Sequence, residues 1–329
     1  MTDAALSAEQ YRPTEPGRLD DVPGWFWDHD RHLFEWFLDR QEKAGVTGDL
    51  LEMGAYLGRS AIVIGDHRQP TETFTVCDLF DSDAPDDENA AEMSMSYRKS
   101  LTRKAFESNY LSFHDALPEI IQAPTSALAD GRLPAGAFRF VHIDASHLYE
   151  HVVDDLRVAR AALQPEGVVV LDDYRSAHTP GVAAATWEAV FNGGLTPIVL
   201  SESKFYGTWG DPEPARRALL DRTGLAEGVQ LAVEHLNGQR VVRVGGSSHG
   251  IAPFRPSRHH DRLAAEAARR EAERAEAEAL RAQQEADVDL AVRRARAAER
   301  RRPANVAKRV AGDLLPPVLT AAIRRARRG

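Results

Sequence analysis

Three short stretches of this chain carry residue types whose spacing could do chemistry. LLEMGAYLGRS, residues 50–60, has the form of a strand-to-helix turn bracketed by Gly54 and Gly58, with Glu52 at the strand end and Ser60 opening the helix. A glycine directly after a strand permits a tight turn and close backbone approach, and a second lets the next helix pack onto the sheet, so such a turn can hold a nucleoside cofactor. Glu52 has an acceptor-only side chain, suited to a cationic or hydroxyl-rich ligand. Roughly 25 residues on, Asp78 closes the run FTVCD, a position from which a carboxylate accepts hydrogen bonds from ribose hydroxyls. The spacing is not G-x-G-x-x-G, so the pyrophosphate-binding turn of a nicotinamide enzyme is not matched. FVHIDASH and VVVLDDY then set Asp144, Asp172 and Asp173 at two later strand ends. Three neighbouring carboxylates repel unless a cation neutralises them. Hard oxygen donors and no second cysteine favour magnesium or manganese over zinc, with His147 able to add a nitrogen. A cofactor turn beside a cation site points to an enzyme. Each motif also has an ordinary alternative: a tight connection, a turn aspartate, or solvated acids at strand ends.

Positioning these residues requires a sheet whose strands end side by side. Short apolar runs (LLEM, FTVCDL, a weak SFHD, FRFVHID, VVVLDD) alternate with helical patterns near 60, 96–108, 118, 149–163 and 181–191. That alternation predicts an α/β, doubly wound, Rossmann-like parallel sheet, with later runs TPIVLS and RVVRVG free to add as an antiparallel pair. A leading helix within Trp25 to Lys43 places Leu33, Trp36, Phe37 and Arg40 on one face, with Gly45 as its stop. In sheets of this kind the site lies beyond the strands' carboxyl ends, where all the residues above fall. Lys204, Tyr206 and Trp209, in SESKFYGTWG, read as acceptor-pocket residues or as ordinary core and surface side chains.

Composition narrows the classes. The net charge of −9 is unevenly spread. It is about −16 before residue 257, about +2 from there to Arg302 and about +5 over the last 27 residues. An acidic body argues against nucleic acid as a partner. Cys77 is the single cysteine, which rules out an intramolecular disulfide framework. No apolar run reaches a membrane span, and the polar, acidic N-terminus lacks the character of a signal, giving a cytoplasmic expectation. The segments read as a flexible arm over 1–22, a catalytic domain over 23–248, a linker over 249–260, an Ala/Glu/Arg-rich helix over 261–302 and a basic amphipathic tail over 303–329. Alanine at most apolar positions of the long helix argues against a tight coiled coil and for a solvated stalk. The tail's apolar faces and flanking arginines suit an anionic membrane surface, peripheral at its inner face, or equally a protein partner, with a further copy of the chain among the candidates, or a nonspecific solvated tail.

Taken together, E-x-G-x-x-x-G-x-S (Glu52 to Ser60), H-I-D-x-x-H-x-Y-E-x-V-x-x-D-L (His142 to Leu156) and G-V-V-V-L-D-D-Y (Gly167 to Tyr174) resemble the class I S-adenosylmethionine-dependent methyltransferases. Within that class the chain is most similar to the macrocin O-methyltransferase and cephalosporin hydroxylase-like branch. The resemblance spans about residues 30–210 and stops short of the C-terminal extension. It implies that Glu52, Gly54, Gly58 and Ser60 line the methionine and ribose part of the cofactor, Asp78 the ribose, and Asp115 with Ala116 the adenine. It implies magnesium or manganese on Asp144, Asp172 and Asp173, and methyl transfer to a hydroxyl of a sugar, glycan or natural product. Where many relatives carry glycine and a second acid after the metal aspartate, this chain has Ala145, Ser146 and His147, which makes His147 the candidate base. A nicotinamide-dependent oxidoreductase and a cofactor-binding interaction protein acting through its tail are the alternative readings.

Overall fold

The computed structural model describes residues 15–84, 87, 88, 90, 101–129, 131–236 and 238–300, with 306, 307, 309, 310 and 326. The elements in order are α1 (Asp28–Lys43), β1 (Asp49–Met53), α2 (Arg59–Asp66), β2 (Phe74–Asp78), α3 (Arg103–Leu111), β3 (Glu119–Gln122), β4 (Phe138–Ile143), α4 (Tyr149–Ala162), β5 (Leu163–Leu171), α5 (Pro180–Phe191), β6 (Thr196–Leu200), β7 (Phe205–Thr208), α6 (Glu213–Leu220), β8 (Val229–Leu236), β9 (Gln239–Gly246) and α7 (His260–Arg300). The strands form one sheet in the order β3-β2-β1-β4-β5-β7-β6-β9-β8. From β3 to β5 all pairings are parallel. This is the doubly wound, Rossmann-like sheet that the alternation predicts.

The far half of the sheet departs from expectation. TPIVLS and RVVRVG do not pair antiparallel; β6 and β9 run parallel. SESKFYGTWG supplies β7, which inserts antiparallel between β5 and β6. Its four residues are all buried, so it has no amphipathic alternation to mark it as a strand. SFHD is not a strand: it follows α3, and β3 lies further on at EIIQ, where a short helix from Pro118 was expected.

Two apolar layers cover the sheet. Phe34 and Phe37 of α1, Ile62 of α2 and Phe106 of α3 pack with Leu50, Phe74, Phe140, Val170 and Tyr206 on one face. Val152 and Leu156 of α4 and Val182 of α5 pack with Leu51, Met53, Val141, Ile143, Val169 and Leu171 on the other. Odd and even residues of β1, β4 and β5 thus go to opposite faces, the period of a strand. Full burial of each such side chain contributes about 2 kcal/mol of hydrophobic transfer. At the amino end of β4, Arg139 is fully buried and makes a two-pronged pair with Glu72, at 2.8 and 2.9 Å, plus a bond to Gln41 Oε1 at 3.1 Å. That ion pair is a structural staple at the edge opposite the candidate site.

The described part of the expected flexible arm is packed instead. Leu19 and Val22 are buried, and Arg59 donates to the carbonyls of Asp20, Val22 and Gly24 at 2.7–2.9 Å. The expected linker is likewise seated: Ile251 and Phe254 lie against the core, Ser257 is buried, and its amide donates to the Gly17 carbonyl at 3.1 Å. The chain divides into two compact units, Met1–Asp261 and Arg262–Gly329. In α7 no residue is buried, and its side chains pair along the helix, as Arg262 with Glu266 and Arg293 with Asp289, both at 3.0 Å. Most of the tail from Pro303 lies outside the described residues. Among the described residues no helix is long and apolar enough to cross a membrane.

Candidate active site

The turn after β1 is built on backbone geometry that only glycine tolerates. Gly54 has φ +79°, and a Cβ there would land on the Asp144 carbonyl, with Ala145 Cα at 2.7 Å. The bare backbone lets the carboxyl ends of β1 and β4 meet, and the Asp144 amide donates to Met53 O at 2.7 Å. Gly58, at φ +95°, is the N-cap of α2. Asp78 clamps the turn: Oδ2 accepts from the Ala55 and Tyr56 amides at 2.6 and 3.1 Å, and Oδ1 from the Phe80 amide at 2.6 Å. Both oxygens expected for a ribose are therefore engaged by backbone, and the carboxylate holds the shape of the turn.

Sheet register assembles the charged groups. Glu52 stands opposite His142, and their side chains bond, His142 Nδ1 to Glu52 Oε1 at 2.8 Å. Asp144 and Asp172 continue the same face two residues beyond His142 and Val170. The antiparallel pairing of Val170 with Tyr206 and Leu171 with Phe205 brings Lys204 opposite Asp172. The Lys204 ammonium forms an ion pair with Asp172 and lies 3.2 Å from His142 Nε2. It faces the rings of Phe26 and Phe34 at 5.6 and 6.0 Å. From α1, Asp30 joins the group, accepting from Tyr206 at 2.7 Å and Ser203 at 2.9 Å. Asp173, one residue out of phase, turns away with φ +55° and faces His147 Nε2 at 3.5 Å.

Burial controls the protonation of this cluster. Desolvation raises the Asp144 carboxyl well above the usual carboxylate range, and the neighbouring Asp172 charge raises it further. Burial likewise pushes Glu52 up to about 8, with Ser60 and Lys204 partly offsetting it. Its Oε2 finds no partner at hydrogen-bonding geometry. Burial lowers His142 far below its ordinary value, the Lys204 charge adding to the effect, so the ring is neutral. For Lys204 burial favours loss of the proton, but Asp172, Asp144 and Asp30 outweigh it and raise the pKa. An ammonium at Nζ then donates to His142 Nε2, which leaves the ring proton on Nδ1 for Glu52.

Lys204 competes with the expected divalent ion for these residues. Asp144 and Asp172 converge as expected, but the third group near them is His142, whose possible ligand atom lies within 4.8 Å of theirs. Asp173 is not part of that cluster. Lys204 already occupies Asp172 and the free nitrogen of His142. A divalent ion about 4 Å from the ammonium would meet a repulsion of about 8 kcal/mol at an effective dielectric of about 20.

A pocket of ≈ 30 Å³ lies over the turn, with Trp25, Phe26, Tyr56, Ser60, Asp144 and Lys204 among its walls. It is far smaller than the ~300–1,000 Å³ of a whole ligand cleft, so it suits only a small group at the reacting end of a ligand. Ser60 and Asp144 reach it; His147 lies outside its lining. Asp115 and Ala116 fall before β3, at the amino end of the strand, and Asp115 is fully exposed and pairs with Arg258 at 3.3 Å. They stand at the sheet edge opposite the candidate site, because the strand that follows α3 lies at EIIQ and not at SFHD. Gln122 and Ala123 hold the carboxyl end of β3 instead. Sequence reasoning also missed Asp30 and His142, and it left Lys204 undecided. The two-residue spacing of His142 and Asp144 at the carboxyl end of β4 was the available signal for His142.

A family model described as a methyltransferase domain matches residues 51–174. No curated protein sequence matches the chain. Among solved structures, the O-methyltransferase NovP is similar at 19% identity and TM-score 0.44, over 55% of this chain and 79% of that one. CalS11, a TDP-rhamnose 3'-O-methyltransferase of calicheamicin biosynthesis, is similar at 16% identity and TM-score 0.38, over 56% and 82%. TomG from Streptomyces achromogenes, an O-methyltransferase in complex with SAM, is similar at 16% identity and TM-score 0.38, over 58% and 83%. Likenesses this distant bear no functional weight.

Proposed function

We propose that the chain carries a class I S-adenosylmethionine-dependent methyltransferase domain, a reading supported by the match of residues 51–174 to a methyltransferase-domain model, and that it methylates a hydroxyl oxygen of a small-molecule, sugar or glycan acceptor. The observation that carries this reading is the pairing of Asp144 and Lys204 in one pocket with the glycine turn. When bound, S-adenosylmethionine supplies an electrophilic methyl carbon and leaves as its demethylated thioether. Ala55, Tyr56 and Ser60 would hold its reacting end, since all three line the pocket.

A hydroxyl is a weak nucleophile until its proton is drawn off. Asp144 is the proton acceptor in this reading: it lines the pocket, and burial raises its affinity for a proton. The Lys204 ammonium, beside it, stabilises negative charge growing on the acceptor oxygen. Trp25 and Phe26 wall the pocket with apolar surface, which favours alignment. His147, held toward Asp173 at the rim, is not needed as the base. The divalent ion drops out of this reading because Lys204 competes with it for the acids. A role for the basic tail at an anionic surface or a partner rests on its sequence alone.

Calorimetry with S-adenosylmethionine, its demethylated product and NADH tests the cofactor, and mass spectrometry of acceptor libraries incubated with the cofactor tests the transfer. An NADH isotherm with silence from S-adenosylmethionine would sink the reading in favour of an oxidoreductase. Tight cofactor binding with no methylated product across hydroxylated acceptors would favour an interaction protein.

A further inference from the structure

We infer that Lys204 is the resident cation of the acid cluster, standing where a divalent metal would otherwise be held, and that methyl transfer by this chain is metal-independent. The functional half of this inference rests on the methyltransferase reading; the cation half rests on geometry alone. Three strands, β1, β4 and β5, converge on one face with Glu52, His142, Asp144 and Asp172, and β7 enters antiparallel so that Lys204 falls opposite Asp172. The lysine is 1% exposed, and its Nζ is shared between the Asp172 carboxylate and His142 Nε2. Asp30 lies on its α1 side, itself held by Tyr206 and Ser203.

Two consequences follow for metal binding. The histidine nitrogen that could ligate a metal already accepts from Nζ, and the other bonds Glu52, so the ring has no lone pair to offer. The Asp172 oxygen nearest the cluster is likewise taken. The ammonium therefore competes with any divalent ion for both the Asp172 carboxylate and the imidazole. A single positive charge on a flexible stem answers the same electrostatic need, neutralising the acids and presenting a donor to the pocket that Lys204 and Asp144 share.

The test is manganese binding, read by electron paramagnetic resonance and calorimetry on the full chain, wild type and K204M, at neutral pH. Wild type should show no stoichiometric manganese site, and its affinity for S-adenosylmethionine should be unchanged in excess chelator. K204M removes the ammonium with a side chain of similar length, and should gain a manganese site at least 10-fold tighter than any on wild type. One equivalent of manganese on wild type, lost in D172N, would overturn the inference. Failure of both wild type and K204M to bind would also overturn it, since the acids would then hold no cation place for the lysine to fill. If K204M does not fold, the wild-type and D172N measurements decide, with K204R as the charge-retaining control. Because manganese binding is measured apart from cofactor binding, failure here and failure of the methyltransferase reading are distinguishable.

Discussion

Replacing Glu52 by glutamine should remove a defined part of the pH dependence of folding. The side chain is fully buried, and burial pushes its pKa from 4.5 up to about 8. For an acid whose folded pKa is raised, the folded state binds more protons than the unfolded one between the two values. The stabilisation is then complete below pH 4.5 and is lost as pH rises toward 8. The whole shift corresponds to a ceiling of about 5 kcal/mol, and the interval from pH 5 to 7 to roughly 2–3 kcal/mol. Glutamine keeps the shape and keeps an oxygen for His142 Nδ1, but it does not titrate. Urea unfolding of wild type and E52Q at pH 5, 6 and 7 measures the effect. The stability of E52Q relative to wild type should rise across that range by about 2–3 kcal/mol, whatever its constant offset from burying an amide. Asp144, Asp30 and Asp155 are also raised by burial, but they titrate in both proteins and cancel in the difference. A difference flat with pH to within about 0.5 kcal/mol, or one of opposite sign, would refute a buried, proton-holding Glu52.

Two further outcomes are expected. Gly54→Ala places a Cβ on the Asp144 carbonyl at φ +79°, so it should lower stability by more than about 2 kcal/mol and abolish cofactor binding, read by thermal melting and calorimetry; a variant with wild-type melting and affinity would contradict the close approach of β1 and β4. Ending the chain at Asp261 removes a helix with no buried residue, so the melting temperature should move by less than a few degrees and cofactor affinity should stay; the membrane-surface reading of the tail adds that only the full chain cosediments with anionic vesicles, releasing as salt rises.

Local pattern settled much of this protein. Alternating apolar runs and helical segments specify a parallel, doubly wound sheet because strand and helix periods are properties of neighbouring residues. The Gly54 and Gly58 turn is legible for the same reason: both adopt backbone angles that side chains resist, and their spacing after a strand is local. Strand-end positions likewise marked Glu52, Asp144 and Asp172 as residues that meet at one edge. What sequence left open depends on pairing between distant strands. Asp172 and Asp173 are adjacent in sequence, yet strand alternation sends one to the cluster and the other to His147. The strand that follows α3 lies at EIIQ rather than SFHD, because short apolar runs acquire their identity from the neighbour they pair with, here β2. Lys204 is the clearest case. Nothing around it in SESKFYGTWG announces a role, and only the antiparallel insertion of β7 beside β5 carries its charge into the acids. Local sequence determined which groups stand at the sheet edge, whereas long-range register decided which cation neutralises them.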